Sequence, residues 1–256
     1  MGLRIFSYNV NGIRAAIAKG FDQWLLQEMP DIISLQEIKA EESQVDTQWL
    51  TDAGYRHFWY PAQKKGYSGV AVFTRVMPDL VQYGFNQPEF DVEGRVLRTD
   101  YGDITLLSCY FPSGTSGDIR QEVKMRFLEE MLVYTNELKK TRPNIIIAGD
   151  YNICHKPIDI NHPKKHEKMS GFLPEERAWM DRWEMCGLVD TFRQFNKEAD
   201  QYSWWSYRAG SRSKNLGWRI DYHWVSQSLA PRLVNAGIMQ QAVHSDHCPV
   251  WIELNA

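Results

Sequence analysis

Near the amino-terminal end, LRIFSYNV carries an apolar run that closes on polar side chains, which predicts a strand. After Gly12, the residues Ile17, Phe21, Trp24 and Leu25 recur at helical spacing and predict one helix from Ala15 to Glu28. Pro30 then precedes DIISLQE, a short apolar run that delivers Gln36 and Glu37 at its end. Strand, helix, strand is an α/β opening. YRHFWYPA, GVAVFTR, RVLRTDYG and DITLLSCYFP read as further strands, separated by Gly, Pro and Asp turns and suited to antiparallel pairing. A periodic segment from Ile119 to Lys140 predicts a long helix, after which NIIIAGDYNI repeats the opening theme of an apolar strand ending in Asp and Asn. Glu175 to Met185, preceded by Pro174, predicts another helix, and RIDYHWVS and CPVWIEL supply late strands. With polar residues gathered at strand ends, the expected architecture is two facing sheets with helices outside and a pocket where loops from both sheets meet. The expected organisation is one domain over residues 1–256, built from two similar halves.

Composition sets bounds on this picture. At 256 residues and 43% hydrophobic content, the chain can bury one substantial core. Lys and Arg number 29 against 32 Asp and Glu, a formal charge of −3, so no global cationic field marks a nucleic-acid binder and any such surface must be local. Cys109, Cys154, Cys186 and Cys248 lie far apart without C-x-x-C spacing, which argues against a disulfide framework or a thiolate zinc site and suits a reducing compartment. MGLRIFSYNV lacks the segments of a secretion signal, and no run approaches the ~20 apolar residues of a membrane span. The expected setting is cytoplasmic, without membrane contact. With no coiled-coil segment, a monomer is the expected state.

Candidate chemistry falls at the strand ends. Asn9, Asn11 and Glu37 offer oxygen ligands that suit magnesium or manganese, although turn hydrogen bonds and solvent exposure would also account for them. In GDYNICH, Gly149 permits an unusual turn, Asp150 can serve as a base, Asn152 can donate to an oxyanion, and His155 is as readily a cap or an exposed side chain. In SDH, Asp246 can meet a metal while His247 reaches a substrate oxygen, with Asp221 able to hold the second ring nitrogen and favour the charged imidazole. Each of these groups by itself also fits an ordinary turn.

A local cationic segment is present in WWSYRAGSRSKNLGWR, where Arg208, Arg212, Lys214 and Arg219 occur without an acid and are interleaved with Trp204, Trp205, Tyr207 and Trp218. Such a segment can neutralise phosphates and stack on bases or enclose a sugar; the alternative is core tryptophans beside a solvated loop. A second basic region from His155 to Lys168 contains Lys156, Lys164, Lys165 and Lys168, diluted by Asp159 and Glu167.

In order, SYNVNGIRA, DIISLQEIKA, KGYSGVAVF, EGRVL, CYFPSG, AGDYNICH, GFLPEER, SRSKNLGWRIDY and SDHCP span essentially the whole chain. Together they resemble the exonuclease III and abasic-site endonuclease family, within the endonuclease, exonuclease and phosphatase superfamily. The resemblance implies a four-layer α/β sandwich and a magnesium-dependent phosphodiesterase, with manganese as a substitute. The implied partner is double-stranded DNA containing abasic sites or blocked 3′ ends. It implies a metal neighbourhood of Asn9, Asn11, Glu37 and Asp246, where Asn11 departs from the aspartate of some relatives and so disfavours a two-metal centre. It further implies Tyr110 beside the scissile phosphate, Asp150 as the group that orients or deprotonates water, Asn152 as a donor, His247 on a phosphate oxygen and Asp221 behind it. Trp204, Trp218 and Ile220 are implied as pocket walls with Asn215 nearby, while Ser113 and Arg95 help shape the substrate surface, Arg95 also being read as a structural anchor. Lipid or nucleotide phosphodiesterases of the same superfamily, and a noncatalytic DNA-binding scaffold, are the competing readings.

Overall fold

The computed structural model describes residues 2–255. Among them are the strands β1 (Leu3–Asn9), β2 (Ile32–Gln36), β3 (Arg56–Tyr60), β4 (Val70–Thr74), β5 (Leu80–Tyr83), β6 (Val96–Tyr101), β7 (Ile104–Tyr110), β8 (Asn144–Asp150), β9 (Leu188–Asp190), β10 (Asp221–Ser226), β11 (Leu233–Ile238) and β12 (Val250–Leu254). They form two six-stranded sheets, ordered β11-β12-β1-β2-β4-β3 and β5-β6-β7-β8-β10-β9. Each sheet is mixed, with one parallel pair at its centre, β1 with β2 and β7 with β8, flanked by antiparallel neighbours.

The strands alternate their side chains between an inner layer and an outer one. Inward, Ile5, Ile32, Val70 and Val72 of one sheet meet Leu106, Ile146 and Val225 of the other. Outward, Phe6, Tyr8 and Ile33 pack against Phe21 and Leu25, while Ile145, Ile147 and Trp224 pack against Phe127, Met131, Trp179 and Trp183. The result is helix, sheet, sheet, helix: a four-layer α/β sandwich.

Polarity rises along the inner layer toward one end of the sandwich. Ile5, Ser7 and Asn9 follow each other inward on β1, Ile32, Ser34 and Gln36 on β2, and Leu106, Ser108 and Tyr110 on β7. The serines are buried, and the Ser34 hydroxyl donates to the Ser108 hydroxyl across the sheets at 2.5 Å. Gln36 in turn donates to Ser34 at 2.9 Å and to Ser7 at 3.1 Å. Along these strands the core thus passes from hydrocarbon through the paired hydroxyls of Ser7, Ser34 and Ser108 to amides and carboxylates.

The helix expected from Ala15 to Glu28 is two helices, Ile13–Ile17 and Phe21–Glu28. Gly20 causes the break by adopting φ +87°, a left-handed conformation outside any right-handed helix. The long helix runs Asp118–Thr141, and the later one Pro174–Met185 opens on its proline. Short strands β5, β9 and β11 lie outside the sequence expectation, because their partly exposed stretches lack a sustained apolar run. Among the described residues, no helix is long and apolar enough to cross a membrane.

Candidate active site

Asp150 ends β8 in direct register with Tyr110 on β7 and Asp221 on β10, so three functional groups stand in one row at the polar end of the inner layer. Gly149 makes that row possible: it has φ +152°, and an added Cβ would stand 1.8 Å from the Cys109 carbonyl oxygen of the neighbouring strand. Beyond the row the chain turns sharply. Asn152 has φ +52°, and its backbone N–H donates to Asp150 Oδ1 at 2.8 Å. Its side-chain Nδ2 donates to the Phe111 carbonyl at 3.0 Å and to Asp150 Oδ2 at 3.3 Å. From the other sheet, Asn9 Nδ2 donates to both Asp150 Oδ2 and Glu37 Oε1 at 2.9 Å, joining the two halves of the site.

His247 is the cation of this centre. Its Nδ1 lies 2.9 Å and 3.1 Å from the two Asp221 oxygens, and its Nε2 lies 3.9 Å from Asp150 Oδ2. The Ser203 hydroxyl donates to Asp221 at 2.6 Å and fixes that carboxylate in turn. Burial pulls the His247 pKa down, yet Asp221, its hydrogen bond and Asp150 outweigh burial and push it up to about 10. For Asp150, burial with Asp221 and Glu37 nearby pushes the pKa up to about 7, against the opposing pull of His247. Burial also pushes Tyr110 well above the usual phenol value, with Glu37 and Asp150 adding to the effect, so its hydroxyl keeps its proton.

The oxygen donors converge beside this row. Asn11 has φ +45°, and its N–H donates to Asn9 Oδ1 while its Nδ2 donates to Asp246 Oδ1, both at 2.9 Å. Asp246 also accepts from Trp204 Nε1 at 3.0 Å. Burial pushes Asp246 and Glu37 up, but His247 and Asn11 outweigh it for the first and Lys39 and Asn9 for the second, leaving both below the ordinary carboxylate value. Lys39, two positions after Glu37, donates to Glu37 Oε2 at 2.8 Å and Asn11 Oδ1 at 2.5 Å, contacts that its place in the sequence does not signal. Those two oxygens therefore already converge on a cation. Glu37, Asp246, Asn9 and Asn11 each carry an oxygen donor of the kind a hard divalent ion takes. Glu37, Asp150 and His247 also bring ligand atoms within 4.8 Å of one another, but an imidazole kept protonated by Asp221 lacks the lone pair a metal needs.

Above the row opens a cavity of about 270 Å³ lined by Trp204, Trp218, Ile220, Ser113, Thr115 and Met169, with Glu37, Tyr110, Asn152, Asp246 and His247 at its base. The two tryptophan rings meet edge to face at 5.7 Å and 79°. Thr115 and Met169 are wall residues without a spacing signal in the sequence.

The cationic segment divides on folding. Arg208 and Lys214 are exposed. Arg212 is turned inward: its guanidinium donates to the carbonyls of Ser245, Gln240 and Ala242 and lies 4.6 Å over the Trp205 ring. Three of its N–H bonds are engaged by carbonyls of the chain that leads to Asp246, and the side chain is half-buried. Arg219 is fully buried and paired with Asp159 at 2.8 Å and Asp190 at 2.6 Å, so it leaves the patch. Asn215 is likewise occupied, accepting from Trp205 Nε1 at 3.1 Å and donating to the Asp200 carbonyl at 3.0 Å. Arg95 is buried beneath Tyr110, donating to its carbonyl at 2.9 Å and lying 4.8 Å over its ring, the anchor role rather than a surface one. His155 pairs through Nε2 with Asp181 at 2.8 Å and does not line the cavity. Lys156 sits on the same aspartate, while Lys164, Lys165 and Lys168 remain exposed.

Comparison with known proteins matches residues 6–247 to the family described as the endonuclease/exonuclease/phosphatase family. An exodeoxyribonuclease of Bacillus subtilis is 41% identical, over 99% of this chain and 100% of that protein. The DNA repair nuclease APEX1 of Danio rerio is 36% identical, over 98% of this chain and 82% of its own length. Among solved structures, a 3′ phosphatase from Neisseria bound to a product DNA hairpin has a TM-score of 0.92 at 26% identity, over 99% of this chain and 100% of the other. An AP endonuclease from Archaeoglobus fulgidus has a TM-score of 0.90 at 27% identity, with the same coverage.

Proposed function

Because the chain belongs to the endonuclease/exonuclease/phosphatase family, we propose that it is a magnesium-dependent DNA repair phosphodiesterase that cuts duplex DNA 5′ to abasic sites and leaves a 3′-hydroxyl. The same centre would remove 3′-terminal nucleotides and 3′ phosphate or sugar-fragment blocks, since all these reactions displace oxygen from one phosphorus. The observation that carries this reading is the row of Tyr110, Asp150 and Asp221, with His247 bound to Asp221, at the foot of the aromatic cavity.

In the proposed reaction Asp150 accepts the proton of an attacking water; a carboxyl with a pKa of about 7 is matched to that task near neutrality. The water oxygen bonds to phosphorus in line, the bond from phosphorus to the 3′ oxygen breaks, and the departing oxygen takes a proton from solvent. His247, kept charged by Asp221, would present Nε2 to a nonbridging oxygen as charge accumulates there, and Asn152 would turn its longer hydrogen bond, the 3.3 Å one to Asp150, toward the same phosphate. Tyr110, still protonated, is a further donor at the phosphate. Glu37 and Asp246, with Asn9 and Asn11 beside them, would hold a magnesium ion, which would supply positive charge to offset the negative charge developing in the reaction. Trp204, Trp218 and Ile220 would enclose the baseless sugar, which leaves the helix more readily than a stacked nucleotide. Arg208 and Lys214 are the exposed cations of the segment and would meet phosphates, Lys214 keeping one bond to the Ala209 carbonyl.

The test is incision of a duplex carrying one tetrahydrofuran abasic analogue, with magnesium or with excess EDTA. Cleavage immediately 5′ to the lesion, abolished by EDTA, is expected. Asp150→Asn and His247→Ala should each lower kcat by about 10² to 10⁴. Folded wild-type protein that leaves this substrate intact at every ionic strength would remove the reading.

A further inference from the structure

Three separate loops rim the cavity: one with Ser113 and Thr115, one with Asn152, and one with Met169, Ser170 and Gly171. Beneath them lies an ion pair with no solvent exposure, Lys124 of helix Asp118–Thr141 and Glu176 of helix Pro174–Met185, with Nζ 2.5 Å from Oε1. Its hydrogen bonds reach two of the loops directly. Lys124 Nζ donates to the Asn152 carbonyl at 2.9 Å. Glu176 Oε2 accepts from the backbone N–H groups of Gly171 at 2.7 Å and Leu173 at 3.0 Å, and Oε1 accepts from the Ser170 hydroxyl at 3.2 Å. Gln121 carries the link to the third loop. It donates to Glu176 Oε1 at 3.0 Å and accepts from Ser170 at 2.7 Å, and Gly114 lies so close that an added Cβ would stand 1.7 Å from its Oε1.

The loops also touch one another through this layer. The Cys154 N–H donates to the Gly171 carbonyl at 2.7 Å. A Cβ on Gly171 would stand 2.6 Å from the Trp218 ring and 3.2 Å from the Asn152 carbonyl. Asn152 is held in the left-handed region, its carbonyl turned toward the interior, where a backbone acceptor needs a donor. A buried ion pair adds little net stability over apolar residues of the same volume, so what this one contributes is location.

We propose that Lys124 and Glu176 are positioning residues that lock Asn152 to the Ser170–Gly171 wall, so that the phosphate-binding amide and the sugar pocket hold one fixed separation. The proposal rests on the reading of Asp150 and Asn152 as a phosphodiester centre. Neither residue of the pair touches substrate; they act through the Asn152 carbonyl and the Gly171 amide.

The test compares two proteins with wild type. Lys124→Met combined with Glu176→Gln removes the donor to Asn152 without leaving an unpaired buried charge, whereas Lys124→Arg keeps both charge and donor. On the abasic-analogue duplex, the first is expected to lose kcat on the order of 10- to 100-fold with KM changed by no more than about threefold, and Lys124→Arg to retain most of the rate. Amide hydrogen exchange is read on the same proteins without substrate. Residues 152–155 and 170–173 should exchange faster together in the double variant and not in Lys124→Arg, with the central strands unchanged. Wild-type kcat and unaltered exchange in the double variant would overturn the proposal, as would loosening spread over the whole molecule. If wild-type protein fails to incise, the functional reading falls, and the exchange measurement alone decides whether the two loops are locked through the pair.

Discussion

At the scale of single residues, the site works by keeping unlike protonation states side by side. Asp150 and His247 are both buried and have Nε2 and Oδ2 3.9 Å apart, yet Asp221 holds the imidazole charged while burial holds Asp150 near neutrality. That division leaves one group able to accept a proton and the other able only to donate one. On the proposed function, substrate choice would rest with the walls. Trp218→Ala removes one of two crossed aromatic faces, and kcat/KM on the abasic duplex should fall about tenfold, ~1.4 kcal/mol, while removal of an intact 3′ nucleotide falls less. Matched substrates with a shared flanking sequence measure that ratio; an unchanged ratio means the wall plays no part in selection. Asp150, Asn152, Asp246 and His247 could be picked out in the sequence because a polar side chain directly beside an apolar run stands at a sheet end. The places of Arg212 and Arg219 could not, because what holds the first half-buried and the second fully buried are acceptors far along the chain, the Ser245 and Ala242 carbonyls for one and Asp159 for the other.

At the scale of elements, the same rule explains what the pattern conveyed. The runs that end in SYN, LQE and GDY became β1, β2 and β8, whose last inward positions are Asn9, Gln36 and Asp150. Period-two patterning carries that information within a few residues. It carries none about β5, β9 and β11, whose stability comes from their neighbours, nor about the Lys124–Glu176 pair, which joins positions 52 residues apart. The break between Ile13–Ile17 and Phe21–Glu28 depends on a backbone angle. Among the described residues an alanine at Gly20 meets no atom within 4 Å, so the expected destabilisation is purely conformational, about 1 kcal/mol, seen as a Tm lower by about 2–4 °C. A Tm equal to wild type would mean that the turn accommodates a side chain there.

At the scale of the whole molecule, the two sheets meet over a layer that tolerates hydroxyls and amides but not an unpaired charge. His223 lies in that layer, in register with Ala148, and its Nε2 has no partner among the described residues. Burial pulls its pKa from 6.5 down to about 3. The folded pKa lies below the unfolded one, so between these values the unfolded chain binds a proton that the folded chain refuses, and stability falls as pH falls. Well inside that window His223 should contribute a slope of ~1.4 kcal/mol per pH unit. Denaturant unfolding at a series of pH values would show a shallower decline in His223→Leu than in wild type; parallel curves would mean that the imidazole is charged without penalty.

The pairing of β12 with β1 has a consequence in time as well as in space. Asp246 and His247 directly precede β12, and β12 lies beside the first strand, with Leu254 opposite Leu3. During synthesis Asn9, Glu37 and Asp150 leave the ribosome long before His247, and β1 keeps an open edge until its last neighbour arrives. An unfinished chain, tethered to its own messenger, thus has the proposed water-activating carboxylate but not the imidazolium proposed to receive the phosphate. On the proposed mechanism, competence to cut nucleic acid would arrive only once the segment through β12 has been made.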